Sequence, residues 1–142
     1  MSLIKMFEDE PTIHKCEPDR QGKPMTKQEM HEFGLGLLIV YLHKQNGKLL
    51  RASHLFIALT PNLILENPKG ELLWVWVETS FDKEMRYDDD SITRETRIIL
   101  AKKYKAIPVF AGILLKYDST EENAVPLCGE GYYSRFTGFK AI

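Results

Sequence analysis

Acidic residues form the densest run of side chains that could do chemistry, at Asp88, Asp89 and Asp90. Three adjacent carboxylates offer the hard oxygen ligands that Ca²⁺ and Mg²⁺ prefer. The run lacks the glycine and the later glutamate of a calcium-binding loop, and Ser91 follows it directly before a helical pattern. Carboxylates are favourable at the positive end of a helix dipole, so we expect this run to begin a helix.

The four histidines and two cysteines are the next candidates for metal or nucleophilic chemistry. His31 and Glu32 are adjacent, so on a helix their side chains point about 100° apart and do not chelate one ion. The sequence contains no HExxH motif and no CxxC pair. Cys16 and Cys128 have no marked basic neighbours to activate them as nucleophiles. We therefore expect solvated or capped histidines and free thiols.

Basic side chains cluster on the predicted second helix and could form a local patch for a phosphate backbone. A helix with several basic residues is normally a solvated face, however, and we favour that interpretation. The chain has 19 Lys and Arg against 20 Asp and Glu, so no global positive field exists to hold nucleic acid or an anionic membrane. The basic residues of this local cluster are Arg94, Arg97, Lys102, Lys103 and Lys105 at the second helix, together with Lys44, Lys48 and Arg51.

Helical and extended patterns alternate along the middle of the chain and must position these residues. Thr26 and Glu29 form a capping box ahead of a helix that is apolar nearly all round, which predicts a central helix. Aliphatic runs predict the strands, and an Asn-Pro-Lys-Gly turn joins the second strand to the third. In order, we predict a helix over 26–45, strands over 49–59, 63–65 and 72–79, a helix over 92–105 and a strand over 107–117.

The two ends of the chain differ from this core. Residues 1–25 combine Pro and Gly with many charges, which predicts an extended arm. Residues 118–142 contain four aromatic residues that would form a partner-binding surface if they were exposed. We expect this C-terminal aromatic tail to pack on the core, as an added edge strand. The predicted organisation is one domain, with its core over 26–117.

Length and composition place the chain among globular proteins. Its 142 residues match one domain, and 44% hydrophobic and 27% charged residues exclude disordered and collagen-like chains. The longest apolar stretch, 35–42, is too short to span a bilayer, which takes about 20 residues. The N-terminus turns acidic where a secretory signal would be apolar. We expect a cytoplasmic protein with no membrane contact.

The predicted order α-β-β-β-α-β is similar to that of the PD-(D/E)XK, or restriction-endonuclease-like, nuclease superfamily. That family carries a Glu early on its first helix, an Asp, often after Pro, at the start of its second strand, and Glu-x-Lys on its third. Here the second strand begins with Pro-Asn at 61–62, and the third has the sequence WVWVET over 74–79. The resemblance covers 26–117 and implies an α/β (α+β) fold, a single domain with a central mixed sheet and flanking helices.

The active-site positions of that family are occupied here by mostly different residues. Glu32 matches the helix acid, Asn62 stands where the metal-binding Asp belongs, Trp76 where the second carboxylate belongs, and Glu78 where the Lys belongs. Strand alternation places residues 76 and 78 on one face. Metal-dependent phosphodiester hydrolysis needs hard oxygen ligands and a nearby cation, and only Glu32 and Glu78 remain anionic. The resemblance therefore implies a degenerate site with no bound metal or other cofactor.

Two functions and one different fold follow as hypotheses. The first function is a binding or assembly module that has lost catalysis and takes a protein partner or a second copy in preference to nucleic acid. The alternative is a nuclease that depends on Mg²⁺ or Mn²⁺. Its ligands would be Glu32, Asn62 and Glu78, and Glu95 or Lys102 of the second helix would complete its site. The third hypothesis is another α+β fold in which 72–79 is an ordinary core strand.

Overall fold

The computed structural model describes residues 10–45, 48–52, 59–81, 90–117 and 125–142. Two α-helices and six strands occupy this part of the chain, with a 3-10 turn at Pro18–Arg20 before the first helix. Neither of these helices is long and apolar enough to cross a membrane. In chain order the elements are β1 (Thr12–Ile13), α1 (Lys27–Lys44), β2 (Lys48–Ala52), β3 (Leu63–Glu66), β4 (Leu72–Phe81), α2 (Ser91–Lys103), β5 (Ala106–Tyr117) and β6 (Gly131–Ala141).

The sheet is mixed because one of its strand pairs is parallel. Its strand order is β1-β6-β5-β4-β3-β2, with β4 and β5 parallel and the other neighbours antiparallel. Parallel neighbours need a long crossover connection, and α2 lies in the connection between β4 and β5. The predicted α+β class, with a central mixed sheet and flanking helices, is confirmed.

The N-terminus and inner face of α1 follow from its sequence. The Thr26 hydroxyl accepts a hydrogen bond from the Glu29 amide at 3.0 Å, and the Glu29 carboxylate accepts one from the Thr26 amide at 2.9 Å. This capping box satisfies two amides that the start of a helix leaves without partners. The inner face of α1 then packs on the sheet through almost fully buried apolar side chains. The shared core includes Leu35, Leu38, Leu63, Val75, Val77, Ile113 and Leu115.

One glycine of α1 sets the distance between this helix and β4. A methyl group placed on Gly34 would lie 1.8 Å from the Thr79 hydroxyl oxygen, far inside van der Waals contact. Gly36 is exposed instead, and a methyl group there would meet no atom within 4 Å. Close packing therefore requires glycine at position 34 and not at position 36.

The second helix, α2, covers the opposite face of the sheet. Asp90 is its N-cap, and the carboxylate accepts a hydrogen bond from the Thr93 amide at 2.7 Å, which lowers the pKa of Asp90. Just beyond the C-terminus of α2, Lys105 adopts a left-handed backbone conformation with a φ of 55°. The acidic run begins a helix, as expected, through Asp90, while Asp88 and Asp89 lie outside the described residues.

The two ends of the described chain pack against each other beside the sheet. Strand β6 pairs with β5, and its Tyr132 and Phe136 side chains are buried, so the aromatic tail contributes a strand to the sheet. On its other side β6 pairs with the two-residue strand β1, so the tail packs on the core as expected but is not the edge strand of the sheet. Backbone hydrogen bonds also join residues 14–25 to residues 126–130, so the segment before α1 is fastened along the start of the tail.

Candidate functional site

Asn62 points its side chain toward α1. Its Oδ1 accepts a hydrogen bond from the Val77 amide at 2.8 Å, and its Nδ2 lies 3.2 Å from Nε2 of His31 on α1. Both Asn62 and His31 are only 4% exposed. The backbone amide of Asn62 donates to the Val75 carbonyl at 2.8 Å, next to the first residue pair of β3 and β4. Asn62 therefore ties α1 to the β3–β4 hairpin.

Trp76 and Glu78 point to the other face of the sheet, toward α2. The Trp76 indole is 2% exposed, and the guanidinium carbon of Arg97 on α2 lies 4.9 Å from its ring centre. Glu78 is half-buried and, two positions along β4, shares this face by strand alternation. The sheet itself therefore separates the Asn62 side chain from the side chains of Trp76 and Glu78.

Glu32 lies on a third surface. It is exposed on α1, where its carboxylate accepts a hydrogen bond from the Gln28 side chain at 2.9 Å. The four residues at the active-site positions of the nuclease superfamily thus do not share one surface of this protein. Among the residues that the structure describes, no group of three His, Cys, Asp or Glu side chains could hold a metal ion. That no metal binds stays a prediction, and titration of the wild type and of Glu78→Ala with Mn²⁺ checks it.

The α2 face of the sheet contains a buried cation among aromatic rings. Arg97 is 7% exposed, and its guanidinium carbon lies 4.9 Å from the Trp76 ring centre and 5.6 Å from that of Phe110. Nearby, the rings of Trp74 and Tyr104 stack at 5.4 Å. A guanidinium over an aromatic face gains up to about 2 kcal/mol when it is removed from water. The expectation of a solvated basic face is therefore wrong for Arg97.

A second cluster of ionisable groups joins the segment before α1 to the start of the tail. Arg20 binds Glu29 through two hydrogen bonds, at 2.6 and 3.2 Å, and this interaction above all lowers the pKa of Glu29 to about 2. The Cys128 thiol donates to the same carboxylate at 3.2 Å. Burial, reinforced by this bond, raises the pKa of the Cys128 thiol. A protonated thiol and an engaged carboxylate fasten two segments together and supply no nucleophile.

His14 belongs to the same region. Its Nδ1 accepts a hydrogen bond from the Gly129 amide at 3.2 Å, and its ring packs edge-on against Phe33 at 5.1 Å. Burial lowers the pKa of His14 and so favours the neutral ring. Because His14 and His31 are 7% and 4% exposed, they are not the solvated histidines that one alternative of the expectation described, and each has a hydrogen-bond partner instead.

The residue types His and Arg do not predict that these polar side chains are buried. For two of them, however, the spacing along the helix indicates burial. His31 precedes the buried Leu35 by four positions, which places it on the inner face of α1. Arg97 precedes the buried Ala101 by the same interval on α2. No comparable periodicity marks His14, because it follows a two-residue strand.

Two large apolar side chains are exposed on the outer side of α2, among charged ones. Ile92 and Ile99 are seven positions apart and therefore lie on one side of the helix. They are 77% and 66% exposed, and the adjacent Ile98 is 36% exposed. We call Ile92 and Ile99 the isoleucine face. The exposed cations Arg94, Lys102 and Lys103 lie on the same helix.

Comparison with known proteins gives a family but no activity. The chain matches the family described as "Domain of unknown function (DUF8840)" over residues 28–142, which include nearly all of α1 and every later element. No curated protein and no solved structure matches it. Because the family match extends over more than half of the sequence, the chain belongs to the DUF8840 family of domains of unknown function.

Proposed function

We propose that this protein is a binding module that docks a protein partner on the isoleucine face of α2. The observation that carries the proposal is the exposure of Ile92 and Ile99, at 77% and 66%, on a helix whose inner face is already packed on the sheet. Isolated apolar residues are common on protein surfaces, but two large ones seven positions apart on one side of a helix have the spacing of the anchors by which a helix docks in a groove.

Burial of these side chains by a partner contributes to the free energy of binding, together with the rest of the interface. Removing one isoleucine side chain from water contributes about 1.5–3 kcal/mol, so Ile92 and Ile99 together contribute about 3–6 kcal/mol. A helix that presents two such anchors at this spacing fits an apolar groove on its partner. The binding mode is therefore a helix in a groove, with α2 as the inserted helix.

The charges of α2 define the chemistry of the partner. Arg94, Lys102 and Lys103 are exposed on this helix, and Glu95 is its exposed acidic residue. A groove with carboxylates along its rim complements this surface, and opposite charge also accelerates association. Two copies joined through the same face would bring like charges together, so we propose an acidic protein partner in preference to a second copy.

We also propose that the protein is located in the cytoplasm. Cys16 and Cys128 are free thiols, and each donates a hydrogen bond, Cys16 to Gln21 at 3.4 Å and Cys128 to Glu29 at 3.2 Å. Free thiols persist in the reducing cytoplasm and tend to oxidise in secreted proteins. Fractionation of the source cells, with immunodetection of the native protein, tests this location.

Site-specific photo-crosslinking tests the partner proposal. A photoreactive phenylalanine at position 99 is compared in cells with the same residue at position 13, because Ile13 on β1 is also 65% exposed. We expect a discrete adduct from position 99 only, and we expect Lys102→Glu with Lys103→Glu to abolish it. An adduct of twice the chain's mass, or one unaffected by charge reversal, would contradict an acidic partner.

Once cross-linking has identified the partner, affinity measurements with that purified partner complete the test. We expect Ile92→Ser with Ile99→Ser to weaken binding at least 100-fold, and Ile13→Ser to change it less than twofold. Both variants alter exposed side chains, so their thermal unfolding midpoints should stay within a few degrees of the wild type. Equal affinity of the double variant and the wild type overturns the proposal.

A further inference from the structure

A cleft lies on the α1 side of the sheet, between the second half of α1 and strands β5 and β6. Its volume is about 360 Å³, and residues 10–12 line one end. Small-molecule pockets have volumes of about 300–1,000 Å³, with mostly apolar walls and a few polar groups. This cleft is at the small end of that range, which suits a ligand the size of an amino acid. It is on the opposite side of the sheet from the isoleucine face.

The walls of the cleft can hold an apolar group. Val40 and Tyr41 of α1 and Phe136 of β6 line one wall of it, and the rings of Tyr41 and Phe136 are in contact, with their centres 4.9 Å apart. Val40 is 53% exposed, so hydrocarbon at this position is in contact with water. An aromatic or branched side chain placed here would remove that surface from water and extend the pair of rings.

Polar groups line the same cleft, and three of them bear on the choice of ligand. Lys44 and Glu10 are exposed and bring one charge of each sign, and Ser134 brings a hydroxyl from a residue that is only 7% exposed. Within the described part of the chain, Lys44 and Glu10 make no ion pair with each other. A ligand with one carboxylate and one ammonium group would satisfy both charges at once.

The geometry points to this cleft as a binding site for a free α-amino acid with a large apolar side chain. The side chain of the ligand packs against Val40, Tyr41 and Phe136, its carboxylate binds Lys44, and its ammonium group binds Glu10. The Ser134 hydroxyl offers a hydrogen bond beside them. Because a small ligand in an open cleft gains little free energy per atom, we expect a Kd of about 1 mM.

Titration by NMR, with the amide signals of the ¹⁵N-labelled full chain as the readout, tests this site. L-phenylalanine is compared with three partial ligands: phenylacetate, which lacks the ammonium group, 2-phenylethylamine, which lacks the carboxylate, and glycine, which lacks the ring. We expect L-phenylalanine to shift the signals of Val40, Tyr41 and Phe136 and to bind at least fivefold more tightly than each partial ligand. Equal binding of any partial ligand overturns the proposal.

Single substitutions assign the two charges separately. Lys44→Met should remove the advantage of L-phenylalanine over 2-phenylethylamine, and Glu10→Gln should remove its advantage over phenylacetate. Lys69→Met, in the exposed β3–β4 turn, is the matched control and should change neither ratio. Shifts confined to residues outside the cleft, or no shift at 20-fold the expected Kd, contradict the assignment. Ile92→Ser with Ile99→Ser should bind L-phenylalanine like the wild type, since α2 covers the other face.

Discussion

The two faces of the sheet differ in what they bury and what they expose. Under α1 the core is mostly hydrocarbon, with Leu35 and Leu38 fully buried, and its buried polar residues His31 and Asn62 are hydrogen-bonded to each other. Under α2 a guanidinium, that of Arg97, is buried among aromatic rings, while Ile92 and Ile99 face the solvent. The α1 side largely follows the rule that apolar side chains are buried and charged ones are exposed. The α2 side departs from this rule twice, because it buries a charged side chain and exposes two large apolar ones.

This difference separates side chains that stabilise the fold from side chains that do not. An apolar side chain lowers the free energy of folding only if folding removes it from water, which α1 achieves for Leu38 and α2 does not for Ile99. The isoleucine face therefore adds little to stability. A binding partner would remove these isoleucine side chains from water, which folding does not do. The proposed interface is placed on α2 for this reason.

The comparison is tested most strongly by truncating one apolar side chain on each helix. Leu38→Ala should lower the free energy of unfolding by about 3 kcal/mol, because Leu38 is fully buried and its removal leaves a cavity. Ile99→Ala should change it by less than about 0.5 kcal/mol, because Ile99 is 66% exposed. Urea unfolding measures both. Similar losses in the two variants would show that α2 is packed as α1 is.

The close approach of α1 to the sheet predicts opposite effects at two glycines of one helix. Gly34→Ala should destabilise the protein by about 2 kcal/mol, because the new methyl group overlaps Thr79 and the helix must move away. Gly36→Ala should stabilise it by about 0.5–1 kcal/mol, because alanine is the better helix former and nothing lies within 4 Å. Urea unfolding midpoints that move in the same direction would contradict this packing.

Local sequence rules predict the α1 side well and the α2 side poorly. The Thr26 capping box and the helical spacing of Leu35 and Leu38 act within a few residues, and the structure contains both. Burial of Arg97 depends on Trp76 and Phe110, which reach it from two separate strands. A rule that weighs residue type along one helix places such a residue in solvent.

The candidate site shows the same limit. Strand alternation places Trp76 and Glu78 on one face from sequence alone. Asn62 precedes the first residue of β3, so alternation does not fix its direction, and its bonds to Val77 and His31 turn it toward α1. The predicted strand over 49–59 illustrates a boundary that sequence leaves open: β2 ends at Ala52, and 53–58 lie outside the described residues.

Acid should weaken the attachment of the segment before α1. Hydrogen bonds, above all from Arg20 and then from the Thr26 amide, lower the pKa of Glu29 from 4.5 to about 2, so the unfolded chain binds more protons between these pH values. The contribution of the Glu29 carboxylate to the free energy of unfolding is therefore complete above pH 4.5 and is lost as the pH falls toward 2. The pKa of His14 is also lowered, mainly by burial, so its contribution begins to fall below pH 6.5.

Glu29→Gln tests the carboxylate in this attachment. The side chain is 22% exposed, so after allowance for solvent screening we expect a loss of about 1–2 kcal/mol at pH 7. The variant should also show a flatter fall in stability between pH 4.5 and 2, measured by urea unfolding at each pH. Glu17→Gln removes an exposed carboxylate from the same segment and is the control. Parallel pH profiles for the wild type and Glu29→Gln would exclude the ion pair as the source.

The smallest predicted effect is a gain in stability at the end of α2. Lys105 has a φ of 55°, a conformation that costs a residue with a Cβ about 1 kcal/mol and costs glycine almost nothing. Part of this gain is offset because glycine is more flexible in the unfolded chain. Lys105→Gly should therefore raise the free energy of unfolding by about 0.5 kcal/mol, whereas Lys103→Gly, at the last residue of α2, should lower it by about 0.5 kcal/mol. Replicate urea unfolding curves resolve this difference in sign, and losses at both positions would mean that the left-handed conformation of Lys105 is not a strained one.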